Sequence, residues 1–302
     1  CVRETLKSYV DHNIYGYSLP QKELIGTIID MLKEKYDWDV KPSSIVWLPG
    51  LVPALNIAAR GCVQNNREIF THTPVYPPFL TAPVLSNRKL KTNDMIINNG
   101  RFEIDYEKMD KDCSQPTELY YLCNPQNPTG RAFERKELEQ IAETCLKNDM
   151  FICSDDIHCE LILDEKKHIP IATLSKEIED ITITLMAPSK TYNIPGLCFS
   201  FAVIPNYKLR KRFIRAMQGI VPYPGIMGIA GAVSAYKGGE EWRLELLKYL
   251  RTNRSLVSHF ISQHMPNIKY IPGEATYLAW LDVRALNLEN PFQYFLKNGI
   301  GL

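Results

Sequence analysis

Short, almost continuously apolar segments, separated by longer segments of helical period, constrain the fold of this chain more than any other feature. Strands with so little alternation of polar and apolar residues are buried on both faces and belong to α/β sheets. Between two of them, residues 134–148 place apolar side chains at the spacing of an amphipathic helix, and 206–218 and 240–264 are also predicted helices. The predicted strands are 45–48, 118–122, 150–153, 181–185 and 199–203.

The size and composition of the chain indicate a soluble globular protein. With 302 residues, of which 45% are apolar and 23% charged, it can bury a large core, as one large domain and a smaller one. Thirty-five basic and 34 acidic residues leave a formal net charge of +1, so bulk charge attracts neither nucleic acid nor a membrane surface. No apolar run approaches the roughly 18 residues of a membrane-spanning helix, and no export signal is visible. We therefore expect neither nucleic acid nor a membrane as a partner.

Cysteine usage favours a reducing compartment. The eight cysteines form no C-x-x-C pair, and most lie in apolar segments, where free cysteine behaves as a small hydrophobic residue. This pattern fits the cytoplasm better than a disulfide scaffold or a zinc site. We expect a cytoplasmic protein without a metal site.

Three polar loops each follow a predicted strand. They are 124–130 (Asn-Pro-Gln-Asn-Pro-Thr-Gly), 154–158 (Ser-Asp-Asp-Ile-His) and 187–196 (Ala-Pro-Ser-Lys-Thr-Tyr-Asn-Ile-Pro-Gly). Because doubly wound sheets bind ligands at the carboxyl ends of their strands, these loops predict a single site. Lys190, in the third loop, has the surroundings expected of a lysine that forms a Schiff base.

Together these motifs resemble the fold-type I enzymes of the class I/II aminotransferase superfamily, which depend on pyridoxal phosphate (PLP). The motif at 124–130 is specific for the superfamily, whereas the forms at 154–158 and 189–195 resemble its cystathionine β-lyase, or cysteine-S-conjugate β-lyase, branch. The similarity covers nearly the whole chain in the order of the family. Further segments that carry it are 16–18, 47–55, 73–76, 168–170 (His-Ile-Pro) and 275–282.

The resemblance implies an α/β fold with two domains. A large domain at 21–245, built on a mainly parallel seven-stranded sheet, would follow an N-terminal arm at 1–20. Residues 246–302 would form part of a smaller α+β domain, with strands at 268–270 and 277–282 and a final helix. The family continues further, through strands that carry an arginine for the substrate carboxylate. We therefore expect a fragment, a partly described chain or a natural truncation.

The resemblance also assigns roles in the loops. Lys190 would bind PLP as a Schiff base and then act as the base at the substrate Cα. Asp155 would keep the pyridine nitrogen protonated, which makes the ring an electron sink. Asn127, between Pro125 and Pro128, would donate to the phenolic oxygen of the ring. The alternatives are a surface lysine, a helix cap or turn aspartate, and a plain Asn-Pro turn.

The cofactor phosphate and ring face have candidates elsewhere. Residues 48–55 indicate a strand, a glycine turn and a helix, and free amides at a helix N-terminus bind phosphate. Tyr76 matches the aromatic residue that stacks on the pyridine, although tyrosine beside proline is often only a packed loop residue. The amide candidates are Gly50, Leu51 and Val52, and Ser189 is a further phosphate ligand.

Tyr17 matches a tyrosine that reaches the phosphate and lysine of the neighbouring subunit, so the resemblance implies a homodimer with Tyr17 in a catalytic role. Two positions depart from the family. Ala187 and Cys198 stand where a serine and, in many aminotransferases, an arginine contact the phosphate. The missing arginine is shared with the lyase branch. Without these two ligands, phosphate binding would rely more on Ser189, the Gly50 turn and Tyr17 of the neighbouring subunit.

His158 replaces a tyrosine that many aminotransferases carry three positions after the aspartate. It is a second candidate for contact with the ring oxygen. The alternative is a core histidine whose nitrogens are satisfied by the protein.

The implied reaction is β-elimination from an amino acid that carries a thiol leaving group. The chain would cleave cystathionine or a cysteine S-conjugate to thiol, pyruvate and ammonia. One alternative is an aminotransferase on the same scaffold. Another is a catalytically weak PLP-binding regulatory protein or an inert truncated remnant. The thiol substrate itself stays open.

Overall fold

A seven-stranded sheet forms the centre of the computed structural model, which describes residues 1–113 and 116–301. The strands align in the order β1-β9-β8-β7-β6-β2-β3, and two further sheets have two strands each, β4-β5 and β10-β11. In chain order the strands are β1 (Ile45–Leu48), β2 (Glu68–Thr73), β3 (Lys89–Asp94), β4 (Ile96–Asn98), β5 (Arg101–Glu103), β6 (Thr117–Cys123), β7 (Phe151–Asp155), β8 (Thr182–Met186), β9 (Ser200–Val203), β10 (Lys269–Tyr270) and β11 (Leu281–Asp282).

The main sheet is mostly parallel, as predicted. Strands β3, β2, β6, β7 and β8 run parallel in that order. Strand β9 is antiparallel to both of its neighbours, β8 and β1. Since β9 reverses the direction twice, β1 runs the same way as β8, and six strands end at one edge. We call it the carboxyl edge.

Helices cover both faces of the sheet. On β6, Leu119 and Tyr121 pack into one core while Tyr120 and Leu122 pack into the other. Burial on both faces explains why the strands show no alternation in the sequence. The helices are α1 (Val2–His12), α2 (Lys22–Tyr36), α3 (Leu51–Cys62), α4 (Pro78–Leu85), α5 (Tyr106–Asp112), α6 (Arg135–Lys147), α7 (Lys176–Asp180), α8 (Tyr207–Met217), α9 (Ile226–Gly238), α10 (Glu240–His264) and α11 (Pro291–Lys297).

Local signals set the ends of the predicted helices. Helix α6 begins with a capping box in which Glu134 and Glu137 bond each other's backbone N–H groups. Helix α8 begins after Asn206, whose side-chain oxygen accepts from the Leu209 N–H at 3.0 Å. These helices and α10 confirm the three predicted helical segments.

The prediction of a strand over 277–282 is largely wrong, because only Leu281–Asp282 pairs as a strand. Upstream of it, Thr276 takes a left-handed backbone conformation with φ +70°. Its N–H donates to the Leu161 carbonyl at 2.9 Å. This contact turns the chain toward the segment after β7 before strand pairing begins.

The C-terminal part of the chain is more open than the sheet. Strands β10 and β11 are two residues long and form an antiparallel pair. Helix α11 buries none of its residues. The predicted division between residues 245 and 246 falls inside α10, and the division into domains stays a prediction.

In residues 1–113 and 116–301, no helix is both long and apolar enough to cross a membrane. The same residues contain no cluster of three or more His, Cys, Asp or Glu side chains placed to hold a metal ion. The eight cysteines are all free thiols.

Candidate active site

The three polar loops leave the carboxyl edge side by side, because β6, β7 and β8 are neighbours in the sheet. Asp155 at the end of β7 pairs with Cys123 of β6 and with Leu185 of β8. The Gly50 turn follows β1 and Tyr76 follows β2, and both strands end at this edge. Every predicted site residue except Tyr17 therefore lies on or beside a loop of one edge.

Asp155 is a buried carboxylate at the end of its strand. Its side chain is held by the Ile157 N–H, which donates to Oδ1 at 3.1 Å, and the residue is 4% exposed. Burial raises the pKa of Asp155 to about 7, with a smaller rise from the charge of Asp156, while the Ile157 N–H and the Lys190 charge lower it. A carboxylate in such surroundings is suited to a positively charged ligand group.

Lys190 lies close to Asp155 and His158, since its charge lowers the pKa of both side chains. It is half-buried in a loop that two backbone hydrogen bonds tighten. The Tyr192 N–H donates to the Pro188 carbonyl at 2.9 Å, and the Ile194 N–H donates to the Ser189 carbonyl at 3.0 Å. The loop therefore presents an amine beside a buried carboxylate.

Asn127 sits in a loop that Gln126 holds together. The Gln126 side-chain oxygen accepts from the Thr129 N–H at 3.0 Å and from its hydroxyl at 2.7 Å. The Gln126 N–H donates to the Arg131 carbonyl at 2.7 Å. Asn127 itself is half-buried, and its N–H points to the Cys123 sulfur at 3.3 Å. The hydrogen-bonded loop thus carries the Asn127 side-chain amide at the carboxyl edge.

The Gly50 turn leads directly into α3, where no side chain caps the helix. The first N–H groups of an α-helix have no partner inside the helix, so the amides of Leu51 and Val52 are available to an anion. The Leu51 side chain is buried in the core whereas that of Val52 is partly exposed. The backbone, rather than these side chains, forms the anion-binding feature.

His158 is buried at 2% exposure, and its Nδ1 has no hydrogen-bond partner among the described residues. Burial, together with a smaller contribution from the Lys190 charge, lowers the pKa of His158 to about 4. Its ring meets Tyr277 edge-on, with 5.7 Å between the centroids. A neutral imidazole with such a nitrogen is available for contact with a ligand.

Two predicted tyrosines are exposed. Tyr76 is 38% exposed beside its proline-rich turn, so its ring can stack on a ligand. Tyr17 is fully exposed in the segment that follows α1, where the Ser18 hydroxyl donates to the Pro224 carbonyl at 2.8 Å. A single chain does not bring Tyr17 to Lys190, and its action in a neighbouring subunit stays a prediction.

Arg131 and Glu274 were missed by the sequence analysis. The buried Arg131 guanidinium contacts both carboxylate oxygens of Glu274 at 3.0 Å, and Glu274 also accepts from the Ala132 N–H at 3.0 Å. They join the Asn127 loop to the segment after β10. The arginine directly after the Asn-Pro motif was the available signal, but its partner lies 143 positions away.

The arrangement fits a planar aromatic aldehyde that carries a phosphate, as PLP does. It combines an amine, a buried carboxylate, an unpaired imidazole nitrogen and free helix N-terminal amides at one edge of the sheet. An amine binds an aldehyde covalently, and the helix amides bind a phosphate. The unpaired His158 nitrogen and the buried Asp155 are the observations that a bound ring would explain.

The sequence matches the family described as aminotransferase class I and II over residues 3–300. It is 35% identical to the cystathionine beta-lyase PatB of Bacillus subtilis (strain 168) over 306 aligned positions. This alignment covers 99% of this chain and 78% of that protein.

Solved structures show the same similarity. The crystal structure of OvoB superposes with a TM-score of 0.97 and 35% identity over 100% of this chain and 79% of that one. Cystalysin from Treponema denticola, whose crystal structure contains pyridoxal 5'-phosphate, superposes with a TM-score of 0.96 and 31% identity over 99% of this chain and 77% of that one.

Proposed function

The chain belongs to the aminotransferase class I and II family, and from that membership we propose that it is a PLP-dependent carbon–sulfur β-lyase. Its substrates are cystathionine or cysteine S-conjugates, and its products are thiol, pyruvate and ammonia. The observation that carries the proposal is the placement of Lys190, in the loop after β8, and of the buried Asp155 carboxylate, at the end of the neighbouring strand β7, in a chain 35% identical to a cystathionine beta-lyase. The cofactor is the one contained in the similar cystalysin structure.

Residues of the carboxyl edge would hold the cofactor. Lys190 would bind it covalently, and Asp155 would be the partner of its ring nitrogen. Asn127 and His158 would contact its ring oxygen, and Tyr76 would stack on the ring. The α3 amides and Ser189 would bind its phosphate. When bound, PLP supplies an electron sink that stabilises negative charge at the substrate Cα.

Two side chains of this site handle charge and protons. Lys190, once its amine is free, takes the proton from the substrate Cα, which is general base catalysis. Asp155 would keep the ring nitrogen protonated when the cofactor is bound, because a buried carboxylate is stabilised in its ionised form by an adjacent cation. The Cβ–S bond then breaks with departure of the thiolate. One water molecule completes the conversion of the remaining carbon and nitrogen atoms to pyruvate and ammonia.

A homodimer is part of this proposal. The segment around Tyr17 exposes several large apolar side chains, which favours an interface over open solvent. In the dimer Tyr17 reaches the neighbouring site. The exposed side chains are Val10, Ile14, Tyr15, Tyr17 and Leu19.

The free thiols, six of them buried, support a reducing, cytoplasmic location.

The test is pyruvate release from L-cystathionine by purified protein with added PLP and no keto acid. The lyase proposal expects stoichiometric pyruvate and free thiol, both abolished by Lys190→Ala. An aminotransferase would instead need a keto-acid acceptor and would retain the C–S bond. Cofactor binding with neither reaction would identify a catalytically weak PLP-binding protein.

A further inference from the structure

A buried carboxylate–histidine pair includes Asp156, the residue that follows Asp155 in the chain. The Nε2 atom of His168 is 2.6 Å from Oδ2 of Asp156, and both side chains are shielded from solvent. The other oxygen, Oδ1, accepts a hydrogen bond from the Ser154 hydroxyl. Both oxygens of the Asp156 carboxylate therefore have a partner. Neither residue of the pair has a role in the function proposed above.

The backbone at Asp155 and Asp156 is tied to the strands on either side. The Asn124 N–H donates to the Asp155 carbonyl at 3.1 Å, and the Asp156 N–H donates to the Leu185 carbonyl at 2.9 Å. The Cys159 N–H donates to the Asp156 carbonyl at 3.0 Å. A shift of Asp156 would therefore move the end of β7 against both neighbours, and the Asp155 carboxylate with it.

His168 belongs to the His-Ile-Pro segment that the resemblance singled out without assigning it a role. The next residue, Ile169, accepts from the Asn124 side-chain amide at 3.3 Å through its carbonyl oxygen. The Tyr36 ring meets the His168 ring edge-on, with 5.7 Å between centroids. One segment thus holds the end of β7 through His168 and the start of the Asn127 loop through Ile169.

A buried carboxylate–histidine pair is weak evidence for a stabilising role, since apolar residues of similar volume are often as stable. Here Asp156 directly follows Asp155, the site carboxylate whose pKa is raised to about 7, and the Asp156 charge contributes to that rise. Its geometry is therefore better explained by the placement of a neighbouring group than by stability.

We propose that His168 and Asp156 are positioning residues that fix the Asp155 carboxylate against the cofactor ring nitrogen and connect it to the Asn127 loop. They act through Asp155 and touch neither substrate nor cofactor. The inference rests on the proposed function, because it takes Asp155 as the partner of the ring nitrogen.

The experiment measures PLP dissociation constants, kcat, KM and the melting temperature of the cofactor-free protein for His168→Leu and His168→Gln. Loss of a supporting hydrogen bond behind a ligand-binding group costs about 10- to 100-fold in metal sites. We expect a similar loss of PLP affinity and a lower kcat with little change of KM for His168→Leu. His168→Gln keeps a donor toward Asp156 and restores most of both values. Asp156→Asn is the second variant if His168→Leu does not fold.

The decisive measurement repeats His168→Leu in an Asp155→Asn background. If His168 acts through Asp155, the loss of PLP affinity is much smaller there than in the wild-type background. The matched control is His72→Leu, which removes another buried histidine, bonded to the Tyr120 hydroxyl at 2.9 Å. It should lower the melting temperature and leave PLP affinity unchanged.

A lower melting temperature with unchanged PLP affinity in the His168 variants would overturn the inference, as would equal losses in both backgrounds. Failure of the wild-type protein to bind PLP or cleave cystathionine would instead overturn the proposed function, and this inference with it.

Discussion

The carboxyl edge of the sheet and the C-terminal part of the chain are built in opposite ways. At the edge, every residue of β6 and β8 is buried, and the polar side chains of the β7 end are paired or enclosed. After α10, the chain forms two-residue strands and a helix without a buried residue. The sheet therefore fixes the carboxyl edge, whereas the position of the C-terminal part relative to the sheet depends on a small junction.

That junction is the close approach of Gly130 to Gly273. The Ala275 N–H donates to the Gly130 carbonyl at 2.9 Å, and the Leu163 N–H donates to the Glu274 carbonyl at 2.8 Å. Around it lies a charge cluster with equal numbers of cations and carboxylates, formed by Arg101, Arg131, Lys166, Glu134, Glu137 and Glu274. The contrast shows that a C-terminal part with little burial is positioned against the well-packed sheet by a few backbone contacts and ion pairs.

The largest expected effect comes from the carboxyl edge. Lys190→Ala should lower kcat for pyruvate release by at least about 10³-fold, because it removes the proposed base and the covalent anchor together. The melting temperature should hardly change, since Lys190 is only half-buried. Lys208→Ala, at an exposed position of α8, is the control and should keep full activity. Retained activity in the Lys190 variant would contradict its role.

Asp155→Asn should separate activity from stability. Removal of a preorganised charged group costs roughly 10²- to 10³-fold in kcat. The cofactor-free variant should nevertheless be more stable than the wild-type protein at pH 8, by on the order of 2 kcal/mol.

The sign follows from the raised pKa of Asp155, which burial moves from 3.8 to about 7. The folded state then holds a proton that the unfolded state has lost, so this carboxyl costs stability as pH rises from about 4 to 7, and the cost is complete above pH 7. Melting temperatures at pH 5 and pH 8 measure the effect. A variant less stable than wild type at pH 8 would refute this account.

The junction is tested by a pair of glycine substitutions. A Cβ at Gly130, with φ +72°, would lie 2.7 Å from the Gly273 Cα, whereas a Cβ at Gly100, with φ +74°, would meet nothing within 4 Å. Gly100→Ala should cost only the left-handed backbone strain of about 1 kcal/mol. Gly130→Ala should cost about 3 kcal/mol, because overpacking is added. Denaturant unfolding measures both, and equal costs would show that the junction is not tightly packed.

The smallest effect is expected in α11. Phe292 is 51% exposed, so Phe292→Ala should change the free energy of unfolding by less than about 0.5 kcal/mol. The matched control is Phe213→Ala in α8, where the Phe213 side chain is fully buried. Its expected cost in the free energy of unfolding is about 3 to 5 kcal/mol. Urea unfolding of the two variants compares them. A large cost at Phe292 would mean that α11 is packed in solution against something absent from this single chain.

The strands were predictable because burial on both faces leaves a direct trace in the sequence. The five strands predicted before residue 204 occur within two residues of their predicted bounds, and three polar loops at their ends indicated a common site. The strand at 277–282 was not predictable in the same way. Its apolar residues have the composition of a strand, but the contact of Thr276 with Leu161 redirects the chain, and nothing nearby in the sequence announces that contact.

Within the candidate site, the sequence by itself determined which candidate groups stand in the loops. Lys190, Asp155, Asn127 and the Gly50 turn stand in local motifs whose backbone conformation depends on a few adjacent residues. Only the tertiary structure decided what supports them. Asp156 meets His168 across twelve positions and Arg131 meets Glu274 across 143. Such pairs form because packing of the sheet brings distant segments together. Local sequence preferences do not show which distant segments will meet.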